Sequence, residues 1–279
     1  DAACAHIPAA VVAVAAKPAI QLRKDMTEAT DGQVRLEVRA NIGSIVIDRP
    51  SKHNALTPEM YQQIGSCCAK ADATPEVHVV IFRGAGERAF CAGSDVKSLE
   101  AYEDFWAWRN RYDYIPPILN LRKPTIAAVK GWALGGGLEI ALACDMRVVA
   151  RSSVFSAPEV QLGWNGAGGA AQHLTRLCGY GQAMRLLLTG DRFDAAEATR
   201  IGMVEWLVDD GQELICAQEI ASRIAACSTV ATQTVKAAVR GAMELTVTQG
   251  LRLENELMSL CFAKIERARL LASQDGDTA

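Results

Sequence analysis

Two kinds of apolar pattern recur along the first half of the chain. Val34–Val38 and Ser44–Asp48 alternate apolar and polar residues on either side of Asn41-Ile42-Gly43, the period-two pattern of a hairpin. His78–Arg83 (H-V-V-I-F-R), Pro124–Val129 and Met146–Ala150 are near-continuous apolar runs, as strands covered on both faces require. Helical patterns separate them. Thr57-Pro58-Glu59 is a helix start, with Thr57 as N-cap and Pro58 at the first position, and the helix runs to about Ala71. Tyr102–Leu121 is rich in aromatics and reads as helical, interrupted around Pro116-Pro117. Leu138–Cys144 is a short apolar helix, and Ser152–Gly169 is largely loop. From His173 the pattern is almost wholly helical, over His173–Leu188, Ala195–Ile201, Gly211–Ala226, Thr229–Leu245 and Thr248 to about Leu271. Strands interleaved with helices, followed by helices alone, predict an α/β core over residues 29–210 and a helical region over 211–279.

Composition narrows the function classes. The chain has 279 residues, 50% apolar and 22% charged, with a net charge of −3. Its lysines and arginines are dispersed, which argues against a nucleic-acid footprint or a polybasic membrane patch. The nine cysteines are scattered and odd in number, with no C-x-x-C, so reduced thiols and a cytoplasmic location are expected. Residues 1–28 read as an N-terminal extension. Ile7–Ala16 is apolar but too short to span a membrane, and no basic segment precedes it.

Candidate chemistry gathers around Lys130–Gly169. Three glycines, Gly135 to Gly137, open the apolar helix and place Glu139 in its first turn; Glu159 follows Pro158 twenty positions on. The first N–H groups of a helix lack intrahelical partners and attract negative charge. A carboxylate in that turn and a second one returned to it outline an acid/base pair. The return is feasible: a seven-residue helix carries the chain about 10 Å outward at roughly 1.5 Å per residue, and Met146–Arg151 can bring it back at roughly 3.3 Å per residue. Taken singly, these features have plainer readings. A first-turn glutamate is usually a favourable dipole contact, triple glycine is often tight packing, and Glu159 could be an exposed loop acid. The G-x-G-x-x-A patterns at Gly84 and Gly166 lack the strand-then-helix context of a dinucleotide site. The four histidines have no metal-ligand spacing, so no metal is expected.

Four blocks together, R-P-S-K-H-N-A-L (Arg49–Leu56), F-C-A-G-S-D-V-K (Phe90–Lys97), G-W-A-L-G-G-G-L-E-I-A-L-A-C-D (Gly131–Asp145) and P-E-V-Q-L-G (Pro158–Gly163), resemble the enoyl-CoA hydratase/isomerase, or crotonase, superfamily. The likeness spans about Val34 to Phe262. It implies a spiral of ββα units, a C-terminal helical trimerisation region, a homotrimer or homohexamer, and a coenzyme A thioester as substrate with no separate cofactor. It assigns an oxyanion hole to the backbone N–H groups of Ser94 and Gly136, and the two hydratase carboxylates to Glu139 and Glu159. Glu139 would activate water and Glu159 would serve Cα. Coenzyme A contacts fall on Lys52, Ala55 and Leu56, and on Ala92, Ser94, Asp95, Val96 and Lys97 with Gly136. Asp95 could equally cap its own short helix.

The implied reaction is hydration of a 2-enoyl-CoA to a 3-hydroxyacyl-CoA. Double-bond isomerisation, thioester hydrolysis and a non-catalytic binding module are the alternatives. Two departures stand out. Trp164-Asn165-Gly166 replaces an apolar pair and proline, which would favour a short or polar acyl group. Lys264-Ile265-Glu266 replaces the usual acidic ending, which weakens the expected contact of the last helix with a neighbouring subunit's coenzyme A.

Overall fold

The computed structural model describes residues 32–99 and 102–276; the extension expected over residues 1–28 lies outside the described residues. The strands are β1 (Gln33–Arg39), β2 (Ile42–Asp48), β3 (Val79–Gly84), β4 (Ala89–Cys91), β5 (Thr125–Val129), β6 (Trp132–Leu134), β7 (Met146–Ala150), β8 (Val154–Ser156), β9 (Phe193–Asp194) and β10 (Trp206–Val208). They form a six-stranded sheet in the order β1-β2-β3-β5-β7-β10 and a four-stranded sheet in the order β4-β6-β8-β9. Each of the pairs β3–β4, β5–β6 and β7–β8 therefore sends one strand to each sheet. The chain then passes through helix before the next pair, which is a spiral of ββα units. Helices α1 (Pro58–Ala73), α2 (Val96–Leu99), α3 (Phe105–Arg109), α4 (Ile115–Leu119), α5 (Gly136–Ala143), α6 (Ala170–Cys178), α7 (Tyr180–Thr189), α8 (Ala195–Arg200), α9 (Glu213–Ala225), α10 (Thr229–Ala242) and α11 (Val247–Gly276) complete it.

The apolar runs are explained by two cores. In β3, Val80 and Phe82 face the core shared with α1 and α5, while Val79 and Ile81 face a second core closed by Ala217, Ile220 and Ala221 of α9. A strand buried on both faces has no polar alternation to show. Helix α9, which the sequence pattern groups with the C-terminal helices, thus covers the outer face of the larger sheet. Thr57 caps α1 as expected, its Oγ1 accepting from Met60 N at 3.4 Å, and Met60, Tyr61, Ile64, Cys67, Cys68 and Ala71 form its buried stripe.

Four expectations about elements change. His173–Leu188 is two helices, α6 and α7, broken at Gly179, whose φ of 81° and ψ of 162° suit a residue without Cβ. Pro116-Pro117 opens α4 rather than interrupting a helix, because N–H groups in a first turn have no acceptor to lose. The 152–169 loop contains β8 and a 3-10 turn at Pro158–Leu162. Strands β9 and β10 lie among the C-terminal helices, and β10 pairs in parallel with β7.

The loop Arg49–Leu56 is pinned by Asn54. Buried and in the left-handed region at φ 59°, it donates to the carbonyls of Ala85 (2.9 Å) and Ala89 (2.8 Å) and accepts from Arg49 N at 2.9 Å. Asn54→Ala leaves those carbonyls unmatched and adds left-handed strain. It should cost about 2–4 kcal/mol in chemical denaturation, and Asn54→Asp, which keeps the acceptor but sets a buried carboxylate oxygen against both carbonyls, should cost at least as much.

Candidate active site

Three segments of the spiral and one aromatic segment enclose a cavity of about 410 Å³. The turn after β4 contributes Ala92, Gly93 and Ser94. The junction of β6 and α5 contributes Leu134 to Gly136 and Glu139. The third wall is Pro158, Glu159 and Trp164 to Gly168, and the fourth is Trp108 and Arg111 to Tyr114.

Backbone geometry orients the two expected amides. Leu56 N donates to Gly93 O and Leu56 O accepts from Asp95 N, both at 2.8 Å, so in this parallel bridge Ser94 turns its own N–H away from Leu56. Gly136 opens α5, where an N–H has no intrahelical acceptor. The two turns touch: a Cβ on Gly93 would lie 3.1 Å from Gly136 N. A Cβ on Gly137 would overlap the carbonyl oxygen of Cys91, so only glycine lets α5 begin this close to β4. All of α5 is buried.

The carboxylates converge. Glu139 is 4% exposed and its Oε1 accepts from Gly168 N at 2.7 Å. Glu159, brought back by β7, β8 and the 3-10 turn, is half-buried. A Cβ on Gly166 would lie 2.9 Å from Glu139 Oε1 and 3.8 Å from the carboxyl carbon of Glu159. Burial, and then the charge of Glu159, pushes the Glu139 carboxyl up to about 7, against the backbone N–H groups of Gly168 and Ala170. Burial also raises Glu159. Below about pH 7 Glu139 therefore holds a proton beside Glu159, and the two acids titrate as a pair. Glu159→Gln removes the like charge while the burial stays. The Glu139 carboxyl should then titrate below 7 yet above its ordinary 4.5, read by carbon NMR of labelled glutamate.

Other expected residues divide. Ala92, Ser94, Val96 and Gly136 line the cavity. Lys52, Ala55, Leu56, Asp95 and Lys97 form the neighbouring strip, where Leu56 is fully buried and Lys52 and Lys97 are exposed. The Asp95 carboxylate is taken up by Arg49 at 2.8 Å and by Lys97 N at 3.2 Å, and the Arg49 hydrogen bond holds it below the usual carboxylate range. Among the described residues, no group of three His, Cys, Asp or Glu side chains is placed to hold a metal.

Two tyrosines belong to the site without a motif to mark them. Tyr61 from α1 and Tyr114 stack with ring centroids 4.7 Å apart, and both hydroxyls lie against Ser94. Burial pushes Tyr61 up to about 12 and raises Tyr114 well above the ordinary phenol value, the charge of Glu139 adding to the latter. Both phenols are therefore neutral donors at physiological pH. Helical spacing to Met60 and Ile64 marks Tyr61 only as core.

Comparison with known proteins identifies the family. The enoyl-CoA hydratase/isomerase family profile matches residues 37–272. The short-chain-enoyl-CoA hydratase of Clostridium acetobutylicum is 34% identical over 235 residues, covering 82% of this chain and 89% of that protein. The crotonyl-CoA hydratase of Syntrophomonas wolfei is 36% identical over 233 residues, covering 82% and 89%. The crystal structure of an enoyl-CoA hydratase from Bacillus anthracis superposes with a TM-score of 0.79 at 30% identity, covering 86% of this chain and 96% of that one. With the profile spanning most of the chain and the two-sheet spiral reproduced in solved relatives, the protein belongs to the enoyl-CoA hydratase/isomerase family and has the crotonase fold.

Proposed function

We propose that the protein reversibly hydrates a short 2-enoyl-CoA to the 3-hydroxyacyl-CoA, using Ser94 N–H and Gly136 N–H as an oxyanion hole and Glu139 with Glu159 as a proton-sharing pair. The convergence of both carboxylates on the cavity walled by Ser94 and Gly136 carries this reading. Attack of water at Cβ pushes negative charge onto the thioester oxygen, and fixed amides directed there lower that barrier without reorganising. One carboxylate must accept a proton from water while the other delivers one to Cα. A pair holding a single proton has that ionisation. Burial favours the proton on Glu139 in the free enzyme, and a water held between the two acids passes it to Glu159, leaving Glu139 as the base. Water and thioester supply every atom of the product, so the reaction calls for no further cofactor; coenzyme A enters with the substrate. The short-chain and crotonyl substrates named for the two relatives support a short acyl group.

We also read the chain as a homotrimer or homohexamer in the cytoplasm. Val235, Val239, Leu251, Leu260 and Phe262 on α10 and α11 are each more than half exposed, an apolar surface that a second copy would cover. Among the described residues no single helix is long and apolar enough to cross a membrane, and the eight described cysteines are free thiols. The test of the activity is loss of the conjugated-thioester absorbance when crotonyl-CoA meets the enzyme. Multiple turnovers are expected. Binding of coenzyme A thioesters with no absorbance change would favour a non-catalytic module instead.

A further inference from the structure

The fourth wall of the cavity carries a charge that the proposed hydration does not use. Arg111 lines the same cavity as Glu139 and Glu159. Its guanidinium carbon stands 4.2 Å from the centroid of the Trp108 ring, and its Nη1 donates to Trp108 O at 3.1 Å. The head group is thus held in place by stacking and one hydrogen bond, with further N–H donors unspent. Among the described residues Arg111 forms no ion pair with a carboxylate. Asp113 on the same wall carries the opposite charge, but its Oδ1 caps Ile115 N at 3.0 Å. Asn165 adds an amide to the facing wall.

A hydrocarbon tail entering here would strip water from a fixed guanidinium and give nothing back. A carboxylate would meet it as a two-pronged, charge-assisted partner. We propose that the acyl pocket selects a 2-enoyl-CoA whose far end bears a carboxylate, and that the Arg111 guanidinium receives that group. This rests on the hydratase reading and names its substrate class.

The test compares kcat/KM for glutaconyl-CoA and crotonyl-CoA, which share the conjugated thioester and differ in the terminal carboxylate. The full-length wild type, Arg111→Gln and Arg111→Lys are assayed with both. Wild type should prefer glutaconyl-CoA by about tenfold or more, the scale of one charged hydrogen-bonded pair at a partly wetted site. Arg111→Gln should bring the ratio toward one, and Arg111→Lys should retain part of the preference. Because both rates come from the same preparation, a fall in folded enzyme cannot move the ratio. A wild-type ratio of one or less overturns the proposal. So does an Arg111→Gln enzyme that loses both substrates equally, since Arg111 would then serve the shared coenzyme A moiety or the fold. Calorimetry with the saturated thioesters glutaryl-CoA and butyryl-CoA separates the two readings. If neither unsaturated thioester is hydrated while glutaryl-CoA binds more tightly through Arg111, hydration fails and carboxylate recognition stands. Equal binding of the two saturated thioesters overturns the recognition.

Discussion

Glu139→Gln should fold normally and lose about a thousandfold or more in kcat on crotonyl-CoA, within the range of about a hundred- to ten-thousandfold that a positioned acid or base supplies. The amide oxygen can still accept from Gly168 N, so the loss reports proton transfer rather than a displaced wall. Glu159→Gln should fall in the same range, and the double variant should fall little further, because residues that act as a unit are not additive. Near-full turnover by either single variant would sink the shared-proton mechanism. Stability should move the other way. A carboxyl raised from its ordinary 4.5 to about 7 holds a proton in the folded state that the unfolded chain has released. Wild type therefore loses stability as pH rises from about 4.5 to about 7, by up to about 3 kcal/mol at roughly 1.4 kcal/mol per pH unit. The glutamine variant lacks the Glu139 contribution to this slope, so at pH 8 denaturant titration should find it more stable than wild type.

Gly136→Ala should cut kcat by about a hundredfold or more, the cost of losing one preorganised donor. A Cβ there would overlap the Tyr114 hydroxyl oxygen, while the ring carbon bearing that hydroxyl is 3.3 Å away. Something must shift, and it is either the first turn of α5 or the phenol. Gly136→Ala combined with Tyr114→Phe removes the overlapping atom and leaves only a tight contact, so part of the lost rate should return. No recovery would show that the main chain at 136, rather than the crowding, determines the loss. Tyr114→Phe alone provides the baseline, since its hydroxyl also lies against Ser94.

The sequence makes the long or strongly patterned elements legible and leaves the short ones hidden. The β1–β2 hairpin, the α1 cap at Thr57 and the buried runs of β3, β5 and β7 follow from periodicity and capping alone. The second sheet does not, because β4, β6 and β8 are three residues each and β9 two, too short for any period to register. Yet this hidden sheet places the turn at Ser94 beside the turn at Gly136. Glycines and a proline mark the turns that carry Glu139 and Glu159, but each glutamate alone has a plainer reading, and it is the resemblance of four blocks together that pairs them as a site. Tyr61 is not legible as part of it, because an aromatic residue at core spacing looks the same whether its hydroxyl is idle or aimed at a substrate; Tyr114 is legible only as core or pocket wall, which is where it stands. Arg147 and Lys236 are buried cations whose acceptors, Met203 O at 2.7 Å and Lys123 O at 2.8 Å, are 56 and 113 residues away. Only the folded chain brings such partners together.

Strands β4 and β6 are parallel neighbours, and the two proposed oxyanion donors stand on the turns that follow them. Neighbouring strands run about 4.8 Å apart. Two N–H groups at that separation, each about 2.9 Å from one oxygen, subtend roughly 110° there, close to the angle between acceptor directions on an enolate oxygen. On the proposed mechanism the gauge of the oxygen clasp would follow from sheet architecture, in which no side chain takes part. Changes to the surrounding walls would then alter which acyl group enters without disturbing the proposed grip on the thioester oxygen.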